Sequence, residues 1–281
     1  MLSLPTPGSP DLERLEASAH AFESVSLAEL GHARLMNRTD TKFLLPARQL
    51  PALLQTLRTD YRWLTVDGHR LCPYETLYYD TADLQLYHDH QAGRLNRYKI
   101  RQRRYVQSDV AFTEVKHKTH KSRTVKTRIP YAGPVALSAD RCGRMDDRAG
   151  LDAASRAFVQ QHTQTDNPDR HLDPTRLRPV LWVGYTRLTL VHRTTAERVT
   201  FDLNLTFRNA GGQADYSPLV VAELKQNSRQ ASAFGALMRQ QGRRPGSLSK
   251  YCLGLISLDQ TLKHNRFKPQ LKHLRTVAAT A

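Results

Sequence analysis

The strongest constraint in this chain is a set of short segments that are charged on one side and apolar on the other. Side chains alternate between the two faces of a β-strand. Over 97–103 that places Arg97, Lys99, Arg101 and Arg103 on one face and Tyr98, Ile100 and Gln102 on the other. Over 112–118 one face carries Phe112, Glu114, Lys116 and Lys118, and over 124–128 Lys126 and Arg128 stand together. Tyr185 and Arg187 share a face opposite Leu188 and Leu190, and Glu223 and Lys225 one opposite Ala222 and Leu224. Asp40 and Lys42 lie opposite Phe43 and Leu45, while Arg198, Asp202 and Asn204 lie opposite Val199, Phe201, Leu203 and Leu205. An ordinary half-solvated antiparallel sheet would also alternate in this way. Its solvent face would carry mixed charges, however, and these faces are mainly basic. A sheet closed around its charged faces, with amphipathic helices on the outside, accounts for that bias. Such a basic lumen is repulsive when empty and implies a polyanionic ligand.

The whole chain has the same bias: 281 residues carry a formal net charge of +16. Polyphosphate, nucleotides, nucleic acid and anionic membrane are the partner classes this attracts. Cys72, Cys142 and Cys252 are widely spaced and form no CxxC, which argues against a disulfide framework or a zinc site. Residues 1–10 have no basic-then-apolar signal pattern, and no segment reaches the ~18 apolar residues of a membrane span. A soluble cytoplasmic protein is expected. Residues 1–10 read as a flexible tail, 11–258 as a single domain and 259–281 as a basic, peripheral C-terminal tail. Helices are expected within 11–35 and over 47–57, 147–161 and 228–241. Strands are expected over 40–45, 74–80, 97–105, 110–118, 124–129, 180–192, 198–207 and 219–225.

No GxxxxGK[ST], GxGxxG, HExxH or GxSxG pattern occurs, so side chains must hold any phosphate. Arginine suits bidentate contact with phosphate oxygens and lysine supplies a mobile point charge. Glu114 and Glu223 are the hard-oxygen candidates for Mg²⁺ or Mn²⁺, each weighed against a simple salt-bridge role. Tyr78 and Tyr79 read as wall packing, Asp80 as a cap of the turn after it and Asp202 as a salt-bridge partner. His88, His90, His117 and His120 lack metal-site spacing.

Eight short motifs stand in order along the chain: Thr41-Lys42-Phe43-Leu44-Leu45, Tyr78-Tyr79-Asp80-Thr81, Tyr98-Lys99-Ile100-Arg101-Gln102-Arg103, Glu114-Val115-Lys116, Val125-Lys126-Thr127-Arg128, Tyr185-Thr186-Arg187, Ala222-Glu223-Leu224-Lys225 and Ser249-Lys250-Tyr251. In this order they resemble the VTC domain, the catalytic domain of the vacuolar transporter chaperone polyphosphate polymerase, from about residue 38 to 255. The resemblance implies an α+β fold, a closed antiparallel β-barrel of the CYTH-like triphosphate tunnel type with a basic lumen and flanking amphipathic helices. It implies a metal-dependent phosphotransferase that moves the γ-phosphate of ATP onto polyphosphate, with Mn²⁺ or Mg²⁺ as cofactor. Arg101, Arg103, Lys116, Lys126 and Arg187 match catalytic tunnel residues. Lys42, Lys250, Tyr185 and Ser249 match phosphate contacts, and Glu223 the metal ligand; Lys99, on the same strand face as Arg101 and Arg103, is expected to bind phosphate too, and Glu114 to share the metal.

CYTH triphosphatases open with Glu-x-Glu-x-Lys, where this chain has Arg38, Asp40 and Lys42. The lost first carboxylate weighs against a hydrolase that depends on it. No SPX-like segment or membrane helix accompanies the domain, so coupled transport of the product is not expected. Hydrolysis in the same tunnel and turnover-free binding of polyphosphate or nucleotide remain open. Nucleic-acid binding is not expected, because no helix-turn-helix, RNP or zinc-finger pattern occurs.

Overall fold

The computed structural model describes residues 15, 18–33, 39–121, 123–133, 150–163, 172–227 and 231–279. Arg38 and Cys142, and parts of the helices expected within 11–35 and over 147–161 and 228–241, lie outside these. The described elements are β1 (Ser24–Ser26), β2 (Thr39–Pro46), α1 (Leu50–Leu57), β3 (Tyr61–Thr65), β4 (Cys72–Asp80), α2 (Gln85–Ala92), β5 (Arg97–Tyr105), β6 (Val110–Lys118), β7 (Thr124–Tyr131), α3 (Ala153–His162), β8 (Arg178–His192), β9 (Glu197–Asn209), β10 (Gly212–Asp215), β11 (Leu219–Gln226), α4 (Ala233–Gln240), α5 (Lys250–Leu258) and α6 (Lys268–Ala278).

An α+β architecture results, built on one sheet in the order β2-β11-β9-β8-β4-β5-β6-β7. Every pairing along this path is antiparallel. Short β1, β3 and β10 attach at its sides, and β1 runs parallel to β3. A flat sheet would hold β6 and β11 roughly 24 Å apart, five strand spacings. Yet Glu223 on β11 acts electrostatically on Lys116 of β6, so the sheet curls into a trough. The expected closed barrel is not what the hydrogen bonds form. Among the described residues β2 and β7 are edges that do not pair with each other, and Gly246 bonds to the Lys42 carbonyl at the β2 edge.

The convex face is apolar and covered. Leu50, Leu53, Leu54 and Leu57 of α1, with Phe234 and Met238 of α4, pack on Phe43, Leu45, Leu188, Leu190, Val199, Phe201 and Ala222. Helix α3 covers the β4–β6 side through Phe158 and Val159, against Leu77, Ile100 and Val115. Both α3 and α4 start where the sequence provides a cap: Asp152 accepts from Ser155 N and Ser232 from Gly235 N.

The concave face divides into two parts, and β9 shows how. Asn204 has φ 51°, the left-handed conformation that asparagine tolerates better than most residues. Between the pairs Gly184↔Thr206 and Thr186↔Leu203, β8 supplies one residue and β9 two, which is a β-bulge. The alternation restarts there. Leu205, expected on the same face as Leu203, turns instead to the concave side with Phe207. There it joins Leu44, Tyr78, Leu181, Val183 and Val221 beneath α5. Tyr251, Cys252, Leu253, Leu255 and Ile256 make α5 apolar nearly all round, as a helix buried on several sides must be. The basic segment after Asp259, expected as a peripheral tail, instead continues into α6, which buries Leu274 and Val277 in the same cluster.

Close approach explains the glycine in α5. A Cβ on Gly254 would stand 2.6 Å from Leu181 Cδ2 and 2.6 Å from Phe207 Cδ1. Gly254→Val should therefore lower unfolding stability by roughly 2–3 kcal/mol through overpacking. A drop in the urea midpoint at unchanged slope is the expected reading.

Candidate phosphate-binding site

Cross-strand register puts the charged faces of successive strands side by side. Glu223 pairs with Lys42 and Thr200, and Asp202 with Arg187. Thr76 pairs with Arg103, Tyr78 and Glu114 flank Arg101, and Lys99, Lys116 and Lys126 form one row across β5, β6 and β7. Like charges directly opposite one another destabilise a sheet, so this row is a cost that the fold alone does not explain.

Three carboxylates offset that charge, each holding two cations. Glu114, with no solvent exposure, accepts from Arg101 Nε at 2.7 Å and from its terminal nitrogen at 2.6 Å, and also pairs with Lys126. Asp202 accepts from Arg187 Nε at 2.6 Å and Nη2 at 2.9 Å, and from Lys250. Glu223 accepts from Lys42 and from Lys225, whose ammonium also lies 3.4 Å from Thr200 Oγ1. Burial would raise all three carboxyls. The adjoining cations outweigh it and hold each below the ordinary carboxylate range: Arg101, Arg103 and Lys126 at Glu114, Arg187 and Lys250 at Asp202, Lys225 and Lys42 at Glu223.

Arg103, Lys99 and Lys116 form no ion pair with a carboxylate among the described residues. Arg103 donates to Thr76 Oγ1 at 3.1 Å and lies over the rings of Tyr74 and Tyr185. Lys99 donates to Ser249 Oγ at 2.9 Å, the same oxygen that caps α5 through Cys252 N. Lys116 makes no hydrogen bond or ion pair among the described residues. Arg101, then burial, then Arg103 and Lys99 push its ammonium well below the usual lysine range. Burial likewise lowers Lys126 and Lys225 to about 8, against the opposing pull of Glu114 and Glu223.

The residues expected to bind phosphate or metal fall on this concave face or at its edge with α5. Tyr185 stacks on Tyr74 with centroids 5.2 Å apart, and Lys250 stands 4.7 Å over its ring. Tyr78, expected as wall packing, faces the site, where its hydroxyl accepts from Arg101 at 3.1 Å. Tyr79 points the other way, to Gln102. Asp80 caps as expected, accepting from the backbone of Thr81, Leu86 and Tyr87. His90 bonds to Tyr98 O and Arg97, and His117 stacks on Tyr98. Thr76, Thr200 and Tyr74 were not singled out from sequence, and Lys225 was placed on the face of Glu223 without a role in the site; register with Arg103, Glu223 and Tyr185 identifies the first three once the pairing is known.

Glu114 and Glu223 were expected to hold a metal. Among the described residues no group of three or more His, Cys, Asp or Glu side chains could hold one. Magnesium is commonly held by one or two carboxylates together with substrate phosphate oxygens. Both carboxylates have both oxygens engaged, Glu114 by Arg101 and Lys126 and Glu223 by Lys42 and Lys225, but Glu114 is fully buried whereas the Glu223 side chain keeps 16% exposure, so Glu223 is the one that fits that pattern.

Residues 37–259 match the VTC domain. The chain belongs to the VTC domain family. Membership supports a polyphosphate- or triphosphate-related function. No curated protein matches the sequence. Among solved structures, a putative adenylyl cyclase from Hippeastrum, described with a dominant triphosphatase activity, is 14% identical over 82% of this chain and 100% of that one, with a TM-score of 0.45. A putative adenylate cyclase from Bacillus halodurans is 13% identical, over 76% of this chain and 96% of that one, with a TM-score of 0.44. One from Vibrio parahaemolyticus is 12% identical over 78% and 99%, with a TM-score of 0.41. No helix among the described residues of this VTC domain is long and apolar enough to cross a membrane.

The two lysines lowered to about 8 give a pH signature. A bound polyanion favours their charged forms and raises both, so binding takes up protons near pH 8 and weakens as pH rises through that value. Calorimetric titration of tripolyphosphate at pH 8, in buffers of different ionisation enthalpy, should show this uptake, and Lys126→Met should reduce it.

Proposed function

We propose that this VTC domain binds the triphosphate of ATP along its cationic face and transfers the γ-phosphoryl group to the end of a polyphosphate chain. The observation that carries the reading is Lys116, which makes no hydrogen bond or ion pair among the described residues and is set between Lys99 and Lys126 and beside Arg101 and Arg103. A phosphate chain is the ligand whose closely spaced charges answer such a row.

Phosphoryl transfer demands positioning and charge neutralisation more than covalent chemistry. Arg101, Arg103 and Arg187 offer planar forks to phosphate oxygens, and Arg101 and Arg187 are already oriented by Glu114 and Asp202. Lys116 and Lys126 neutralise charge at the transferring group. Lys42, Lys99, Lys250, Tyr185 and Ser249 hold the flanking phosphates. A terminal oxygen of polyphosphate attacks the γ-phosphorus, the bond to the β-bridging oxygen breaks, and ADP leaves with that electron pair. The nucleophile is already an anion, so no general base is needed. Mn²⁺ or Mg²⁺ would be held by Glu223 with phosphate oxygens and would supply further charge neutralisation.

Purified protein incubated with ATP and Mn²⁺ or Mg²⁺ should yield polyphosphate on gels together with ADP. Lys116→Ala and Glu223→Ala should each reduce the rate by about 10²-fold or more, the scale on which losing a positioned charge-stabilising group acts. Free phosphate without polymer would assign hydrolysis, and absence of turnover with triphosphate-dependent thermal stabilisation a binding protein.

A further inference from the structure

One part of the concave face is not cationic. Four aromatic rings stand across neighbouring strands: Tyr185 on β8, Tyr74 on β4, Tyr105 on β5 and Phe112 on β6. Register places Tyr74 opposite both Tyr185 and Tyr105, and Phe112 opposite Arg103. The rings are in contact in sequence. Tyr185 and Tyr74 are stacked at 5.2 Å, Tyr74 and Tyr105 are tilted at 4.9 Å, and Tyr105 meets Phe112 edge-on at 5.9 Å.

This ladder starts within the phosphate site and leads out of it. At its inner end Arg103 and Arg187 both lie over Tyr74 and Tyr185. At its outer end Arg128 stands over Phe112 at 4.2 Å. Tyr185 is buried, whereas Tyr105 and Phe112 remain partly exposed and Arg128 is exposed. The apolar cover of the concave face, α5, packs on Tyr78, Leu181, Val183 and Tyr185 and does not extend to Tyr105 or Phe112. Partly exposed rings beside guanidinium groups make a platform for another planar π-system. Aromatic stacking and arginine planes together hold nucleic-acid bases without needing base-edge contacts.

We propose that Tyr105 and Phe112, with Arg128, form the subsite for the nucleobase of a nucleoside triphosphate. The inference rests on the reading of the cationic face as a triphosphate site and adds an orientation to it. The base lies on the β5–β6 end of the ring ladder, and the phosphates run past Arg103 and Arg187 towards Lys99, Lys116 and Lys126. A subsite of this kind tolerates different bases, because every base has a π-face, and it discriminates nucleoside triphosphates from inorganic phosphate chains.

Isothermal titration of the full chain with ATP and, separately, with inorganic tripolyphosphate tests this. Tyr105→Leu and Phe112→Leu should each weaken ATP roughly ten-fold, within the usual range for a lost stacking partner. Tripolyphosphate affinity should stay within about two-fold of the wild-type value, which also reports that the cationic site is still folded. Arg103→Ala should weaken both ligands. GTP should bind the wild type about as well as ATP. Equal weakening of both ligands by the ring variants, or no weakening of either, overturns the subsite. Wild-type protein that binds tripolyphosphate but not ATP overturns the subsite alone. Protein that binds neither overturns the triphosphate reading as well.

Discussion

Everything about this site depends on how closely spaced cations are kept on one face of a sheet. Desolvated like charges repel, and the desolvation of an ion is costly unless a partner offsets it. The chain meets that constraint with a repeated unit: one carboxylate shared by two cations. Glu114 joins Arg101 to Lys126, Asp202 joins Arg187 to Lys250, and Glu223 joins Lys42 to Lys225. Each unit still has one positive charge in excess. The site can therefore fold without ligand and remain an attractor for a polyanion.

The same units connect distant parts of the chain. Lys42 comes from the first strand of the main sheet path and Glu223 lies 181 residues later. Lys250 ties the start of α5 to β9, and Ser249 ties it to β5 through Lys99. Electrostatics and the apolar cover of α5 thus act on one short segment, so the helix that packs the upper trough also fixes the border of the phosphate site.

The sequence made the site more legible than the fold around it. Strands β5, β6 and β7 have uninterrupted alternation, and their basic residues end up where period two places them. Register was not readable, because neutral residues such as Thr76 and Thr200 acquire meaning only from their cross-strand neighbours. Helix α5 was missed because its apolar residues surround the helix and give no amphipathic stripe. The β9 alternation failed at Asn204, where one left-handed residue reverses the faces downstream. Closure was expected from the basic faces, the amphipathic helices and the family resemblance, but none of these specifies whether β2 and β7 exchange hydrogen bonds.

The reversal at Asn204 also separates two jobs along a single strand. Before it, inward positions on β9 carry Arg198, Thr200 and Asp202; after it, they carry Leu205 and Phe207. Without the extra residue, the inward phase set by Asp202 would continue through Asn204 and Thr206, and α5 would face polar groups. The bulge works as a phase shift: it lets one continuous hydrogen-bonded ladder present a wet surface and a dry one on the same side, so either can change in sequence without forcing the other out of step.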